Sequence, residues 1–362
     1  MAQIPNIADL TINAEEVTDI SQMIALKSYQ DANYLRFHRL VDGISRKTQI
    51  LLDATSGQAG WKATGCAAIA SGGMDIRMAE LFWDLVTIED TLELCQNDLD
   101  SNFKLLVKKY SKDKFGDLTD QEAIKTFIYA RVSQFIEEAN ERLIWLGDKD
   151  ATNVADDGNI VDTIDPKFYT PLDGFWRQVM DSTTTPFTNI PANEQLTKAL
   201  QLSTMDSTAA FNVVKGTYDK ADDATKMDPD AFIWVTAQIY NQYKSYLAAN
   251  TLSGGGLSEI TINGIVKPAY MGVPVETSIF ISKKILSDFE VGDGASPEVY
   301  TYDFPHRALM ATPDLLPVAT LNSEDIKGFE SFYVQKDRKS NVRFDFDLDA
   351  KLVRPELVSA AY

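Results

Sequence analysis

The chain has 362 residues, which at roughly 150 residues per domain implies two or three packed units, and its 44% hydrophobic, 10% aromatic and 24% charged content is that of an ordered protein. Lys+Arg 34 against Asp+Glu 53 leaves a net charge of −19, an acidity that repels phosphate backbones and anionic membranes and excludes tight nucleic-acid gripping, though not the enclosure of nucleic acid. Two cysteines, Cys66 and Cys95, exclude a disulfide scaffold and a four-cysteine zinc site. The opening Met1-Ala2-Gln3-Ile4-Pro5 has neither a basic nor an apolar signal region, and no stretch approaches 18 consecutive apolar residues. A soluble protein of a reducing cytoplasm is expected.

In chain order, residues 13–30 read as a short helix with Val17, Ile20, Met23 and Ile24 at helical spacing and Glu15 and Glu16 in its first turn. From about 45 to 95 extended segments surround a run rich in Gly, Ala, Ser and Thr between Ala54 and Gly73. That pattern predicts a long hairpin with little core of its own, which needs a partner surface. Thr119-Asp120-Gln121-Glu122 is a capping box. After it Ile124, Phe127, Ile128, Val132, Phe135, Ile136, Ala139, Leu143 and Ile144 keep the i, i+3, i+4 pattern as far as Gly147, where a C-terminal cap belongs. About 27 residues at 1.5 Å each predict a rod of roughly 40 Å, with Phe127, Phe135 and Leu143 on its core face and Glu137, Glu138 and Glu141 in water.

An acidic loop follows over 147–170, then a helical region over 192–221 that Ser203 to Ser207 can break. Phe232-Ile233-Trp234-Val235-Thr236 reads as a strand, and a helix continues to Ala249. Asn263-Gly264 between β-branched runs is the strongest hairpin cue, and Tyr270 to Val275 also reads as extended. The C-terminal third reads as mostly strand. In it Val342, Phe344, Phe346 and Leu348 alternate with Arg343, Asp345, Asp347 and Asp349, one set facing a core and the other water. Helices and antiparallel strands in blocks give an α+β class.

Chemistry is hard to find. There is no GxxxxGK[ST], GxSxG or HExxH, and Gly292-Asp293-Gly294 lacks the rest of a dinucleotide fingerprint. His38 and His306 are too few for histidine-rich metal sites, and His306 reads as an ordinary packed or surface residue. Asp345, Asp347, Asp349 and Glu356 match positions 1, 3, 5 and 12 of an EF-hand loop, but Ala350 replaces the turning glycine and the register is strand-like. A solvated strand face is the better reading. Asp148, Asp150, Asp156 and Asp157 read as a solvated loop in the same way, and Tyr240, Tyr243 and Tyr246 as helix packing. No catalytic, cofactor-binding or metal residues are expected.

The order of features resembles the major capsid proteins of tailed double-stranded DNA phages, which share the Hong Kong 97 fold. Glu141-Arg142-Leu143-Ile144-Trp145-Leu146-Gly147-Asp148 looks like the spine-helix end of such proteins from phages of Bacteroidetes-type hosts, including the crAss-like group. Cys95-Gln96-Asn97-Asp98-Leu99, Tyr270-Met271-Gly272-Val273-Pro274-Val275 and Pro305-His306-Arg307-Ala308-Leu309-Met310-Ala311-Thr312-Pro313 carry the same likeness.

The resemblance implies an N-terminal arm at 1–45 and an extended loop at 46–95. It implies a peripheral domain from 96–160 and 300–362 with a spine helix at 119–146, and an axial domain at 160–300. It further implies hexamers and pentamers of an icosahedral shell enclosing phage DNA in a virion assembled in the host bacterial cytoplasm. A portal would be a partner, with scaffolding or decoration proteins as further candidates. An encapsulin-like compartment is the alternative of the same fold, and a divalent-cation-dependent enzyme built on Asp345, Asp347 and Asp349 the alternative of another class. The assembly contacts expected are Ile20, Met23 and Ile24 in the arm and Trp61 and Lys62 in the extended loop.

Overall fold

The computed structural model describes residues 36–44, 48–56, 75–95, 120–250, 259–262, 265–292, 299–322, 330–334 and 339–362. Leu40–Val41 (β1) opens the described chain. Gln49–Ser56 (β2) and Asp75–Phe82 (β3) then pair antiparallel in strict register, from Gln49 opposite Phe82 to Ser56 opposite Asp75. This is the long hairpin that the sequence predicts. Val86–Cys95 (β4) leaves it: that strand, read from sequence as the end of the extended loop, pairs antiparallel with the C-terminal strand over Val86 to Cys95.

The long helix is present as Asp120–Leu146 (α1), 27 residues, while its predicted cap Thr119 lies outside the described residues. Gly147 ends it for a reason other than a left-handed cap. Its amide donates to Leu143 O (2.9 Å) and its carbonyl accepts from Gly174 N (2.8 Å). A Cβ on Gly147 would stand 2.3 Å from Leu172 O and 2.7 Å from Leu143 O. The chain returning from the 150s loop therefore runs against the helix end, backbone on backbone. Gly147→Ala is expected to destabilise by roughly 2–3 kcal/mol, since neither carbonyl can rotate away; equilibrium unfolding in urea checks it.

Phe175–Asp181 (α2) and Phe187–Thr188 (β5) follow. The helical region of the 190s starts only at Lys198–Thr204 (α3), and it breaks where Ser203 to Ser207 predicted, before Ser207–Lys220 (α4). Thr197 and Asp206 cap the two pieces by accepting from Leu200 N and Ala209 N. Asp223–Met227 (α5), Phe232–Val235 (β6), Ala237–Asn250 (α6), Glu259–Ile262 (β7) and Ile265–Tyr270 (β8) come next. Tyr270 to Val275 is not one strand. Met271 (φ 49°) and Gly272 (φ 87°) form a two-residue turn with Tyr270 opposite Val273, leading into Val273–Glu276 (β9). The strand-rich C-terminal third also contains a helix the sequence reading missed, Ile279–Asp288 (α7), capped by Ser278. The chain ends through Glu290–Gly292 (β10), Tyr300–Tyr302 (β11), Ala308–Ala311 (β12), Val318–Ala319 (β13), Glu330–Val334 (β14), Lys339–Ala350 (β15) and Ser359–Ala361 (β16).

Two larger sheets organise these elements. One joins β1, β13, β15, β14 and β4; the other runs β5-β16-β12-β6-β9-β8-β7. The central strands of the second are buried on both faces, which is why β6 is an unbroken apolar run instead of an alternating one. Phe232, Trp234, Leu309 and Ala311 point into one core with α1 and β15, whereas Ile233, Val235, Ala308 and Met310 point into another with α4 and α6. In that second core Tyr243 donates to Ala269 O (2.8 Å) and Tyr246 stacks on Phe211 at 4.4 Å, so the tyrosine stripe is packing, as expected. The mixed α+β class holds.

Candidate assembly surfaces

The polar residues that sequence reasoning weighed for chemistry are engaged structurally. His306 is buried, with Nε2 2.9 Å from Gln201 O and its backbone held on both sides by Asn193. Burial holds its pKa below the ordinary imidazole value. Arg177 occupies the centre of the acidic loop, pairing with Asp148 (3.3 Å), Asp150 (3.6 Å) and Asp181 (2.7 Å). Asp148 is buried there, its carboxyl pushed up by desolvation, while Asp156 and Asp157 lie exposed in the next turn. Among the described residues no group of three or more His, Cys, Asp or Glu is placed to hold a metal ion.

Three sequence expectations need correction. Asp349 does not face water: it is 3% exposed, accepting from Asp84 N (2.7 Å) with Lys351 Nζ at 3.6 Å. The reason is the turn before β4, whose Asp84 amide meets the carboxylate, and β13 alongside, with Ala319 opposite Asp349; Asp347 likewise accepts from Thr87 Oγ1. Because β15 stays extended through Ala350, the aspartates line one face of a strand and cannot wrap a cation as a loop would. Glu141 is also not in the wet face, since its carboxylate accepts a hydrogen bond from the Ser278 hydroxyl at the start of α7 and burial pushes its carboxyl up. Conversely Phe135, assigned to the core, is 45% exposed. It adjoins fully buried Ile136, and successive helical residues are turned by about 100°, so Phe135 stands at the margin of the buried stripe.

The features that remain are surfaces. The β2–β3 hairpin pairs with itself and belongs to no larger sheet among the described residues. Eight residue pairs give an arm of about 26 Å. Its foot is fixed: Trp83 N donates to Thr48 O (2.9 Å), and Trp83 and Leu85 are buried with Ile44 and Ala319. Phe82, the last hairpin residue, is half-exposed. Further large apolar side chains stand in solvent at Met227 (85% exposed), Leu196 (81%) and Ile279. Sequence reasoning missed these, because an apolar residue at an element's end carries no periodic signal. A groove of about 880 Å³ lies beside residues 36–40, lined by Arg36, Arg39, Lys226, Asp228, Asp230 and Asp314 among others. Arg39 pairs with Asp314 (3.1 Å) and Lys226 with Asp223 (3.1 Å), so it presents no convergent acid–base set. The predicted contacts Ile20, Met23, Ile24, Trp61 and Lys62, like Cys66, lie outside the described residues.

A chain of the satellite phage P4 procapsid, a structure that includes the size determination (Sid) protein, superposes on this one with a TM-score of 0.51, covering 94% of this chain and 98% of its own at 11% identity. The chain has the Hong Kong 97 capsid fold. A chain of the capsid of Myoviridae phage XM1 aligns over 91% of this chain and 90% of its own at 9% identity, with a TM-score of 0.46. A chain of an encapsulin complex from Synechococcus elongatus covers all of this chain and 90% of its own at 8% identity and a TM-score of 0.40. No protein-family model matches the sequence, and no curated protein matches it. No helix among the described residues is long and apolar enough to cross a membrane.

Proposed function

We propose that the chain is the subunit of a closed protein shell, the major capsid protein of a tailed double-stranded DNA phage. It has no active site in this reading, and its function lies in contacts with further copies of itself, as hexamers and pentamers of an icosahedral particle in the virion, assembled in the host cytoplasm. The observation that carries the proposal is the capsid fold over 94% of the chain, with a long hairpin that no larger described sheet absorbs. A two-stranded ribbon is marginal alone, and a neighbouring subunit supplies the surface it lacks. The contacts are heterologous, hairpin of one copy against body of the next, which is the kind that closes into rings. Arm residues Ile20, Met23 and Ile24 and loop residues Trp61 and Lys62 join that interface. The peripheral domain comprises 96–160 and 300–362 and the axial domain 160–300. A portal and separate scaffolding or decoration proteins are its other partners, and the runs Glu141 to Asp148 and Pro305 to Pro313 align it with phages of Bacteroidetes-type hosts, including the crAss-like group.

Net charge −19 fits the content as well as the container. A wall that neutralises few phosphates encloses DNA without immobilising it, because affinity for the backbone scales with the phosphates paired. Light scattering and negative-stain imaging of the purified chain test the reading, with rings or closed shells expected. Deleting residues 54–73 is expected to abolish those particles while leaving the unfolding transition of the remaining chain in place. Normal particles from the deletion would sink the proposal, and shells that hold a cargo enzyme in place of DNA would move it to an encapsulin-like compartment.

A further inference from the structure

The nine residues 36–44 form a strap that runs from the first core, where Phe37 and Leu40 pack, to the small cluster of Ile44, Trp83, Leu85 and Ala319. Arg39 N donates to Pro313 O (3.1 Å), Val318 N to Arg39 O (2.9 Å), Thr320 N to Val41 O (3.1 Å) and Ile44 N to Thr320 O (3.3 Å). Among the described residues its one ladder is the two-residue parallel pairing of β1 with β13. Phe37 packs edge-on against Phe232 and Trp145, centroids 5.1 and 6.4 Å away. His38 is the buried key of the strap: its ring stacks on Phe175 at 5.2 Å and 20° and lies 5.3 Å from Trp145, with the Leu316 backbone hydrogen-bonded to it.

We propose that His38 is an acid-sensitive latch: taking up a proton undocks residues 36–44 from the body. The inference stands on the strap's own packing and not on the shell reading. An imidazolium buried away from solvent pays a desolvation cost that the Leu316 backbone and the faces of the two rings offset only in part. Among the described residues the charged groups on the strap, α1 and α2 have partners of their own, Asp42 accepting from Gly43 N (2.8 Å). On the strap itself Arg36 pairs with Glu276, which also holds Lys267 (3.3 Å), and Arg39 pairs with Asp314. On α1, Glu141 takes the Ser278 hydroxyl and the Arg142 guanidinium lies over Phe168 and Tyr169. On α2, Arg177 is committed to its three aspartates.

The sign follows from linkage. Burial drives the docked His38 from 6.5 down to about 3, whereas the undocked ring returns to about 6.5. The docking free energy is therefore complete above pH 6.5 and is lost as the pH falls below it. The carboxyls that burial raises, Glu141, Asp148, Asp303 and Asp349, work the other way, favouring the folded form on acidification.

Hydrogen exchange of the full chain, read on peptides covering 36–44 and 318–320 and corrected for intrinsic chemistry, tests this between pH 7 and 5, above the ordinary carboxylate range. The opening constant of those peptides is expected to rise roughly 25-fold over that interval, with no such rise in the rest of the described core. His38→Gln and His38→Phe are each expected to flatten the slope to less than twofold, two variants guarding against one that fails to fold, and His306→Gln to keep it. A wild-type strap whose protection is independent of pH, or a slope retained in either folded His38 variant, overturns the latch. Neither result bears on whether shells form.

Discussion

Trp145→Ala is expected to cost about 3–5 kcal/mol of stability, the range for emptying a large aromatic site in a core that cannot collapse. Trp145 sits in the last turn of the long helix, 2% exposed, and four other rings depend on it: Trp234 stacked at 4.9 Å, His38 at 5.3 Å, Phe175 edge-on at 5.7 Å and Phe37 at 6.4 Å. These rings come from α1, the seven-stranded sheet, α2 and the strap, so the loss falls on a joint of several elements instead of a single helix. Urea unfolding at constant slope measures the change, and Trp145→Phe should recover about half of it by keeping one ring in place. A cost below about 1 kcal/mol for the alanine variant would mean that the joint is not what holds the spine helix to the sheet.

That joint illustrates which parts of the structure were legible in the sequence. Period and punctuation gave the long helix, the break between α3 and α4, and the hairpins, since each depends on local spacing and on residues such as Ser207 or the small-residue run after Ala54. The alternation over Val342 to Leu348 gave one buried face of β15 correctly. It failed at Asp349, because the amide that donates to its carboxylate belongs to Asp84, 265 residues earlier, and no local pattern announces it. Helix α7 was missed because Ile279, Ile281 and Ile285 are β-branched and suggest strand, while the signal that decides, Ser278 at the cap with Ile281, Ser282, Ile285 and Asp288 buried along one stripe, competes with that propensity. Gly147 looked like a cap and is a contact. The buried settings of His38 and Glu141 were equally invisible, since a titratable side chain reveals its environment only once the strands and helices around it are placed. The assembly residues pose a different problem, for a surface that meets another copy is specified by two chains.

Arg307→Leu is expected to be among the most destabilising single changes, at about 3–5 kcal/mol near neutral pH, because it leaves a carboxylate only 13% exposed without its cation. The guanidinium is 3% exposed and lies over the rings of Trp176 and Phe289 at 5.6 and 5.9 Å. Its Nε donates to Phe304 O (2.8 Å) and one terminal nitrogen to Asp303 O (3.0 Å), 4.0 Å from the Asp303 carboxylate. Those two bonds hold a turn in which Phe304 adopts a left-handed φ of 42°, strained for a side chain of that size. Desolvation lowers the Arg307 guanidinium to about 10 and raises the Asp303 carboxyl, with Asn159 Nδ2 (3.2 Å) as the carboxylate's other support. The pH dependence of the variant separates the two contributions. Without Arg307 the Asp303 carboxyl is raised further, and a raised acid regains stability as the pH falls through its folded value toward the ordinary carboxylate range. The gap between Arg307→Leu and wild type should therefore narrow from pH 7 to 5, and Asp303→Asn in the Arg307→Leu background should remove that narrowing by removing the charge. A gap that stays constant with pH would place the cost in the lost bonds to the Phe304 turn and not in the orphaned carboxylate.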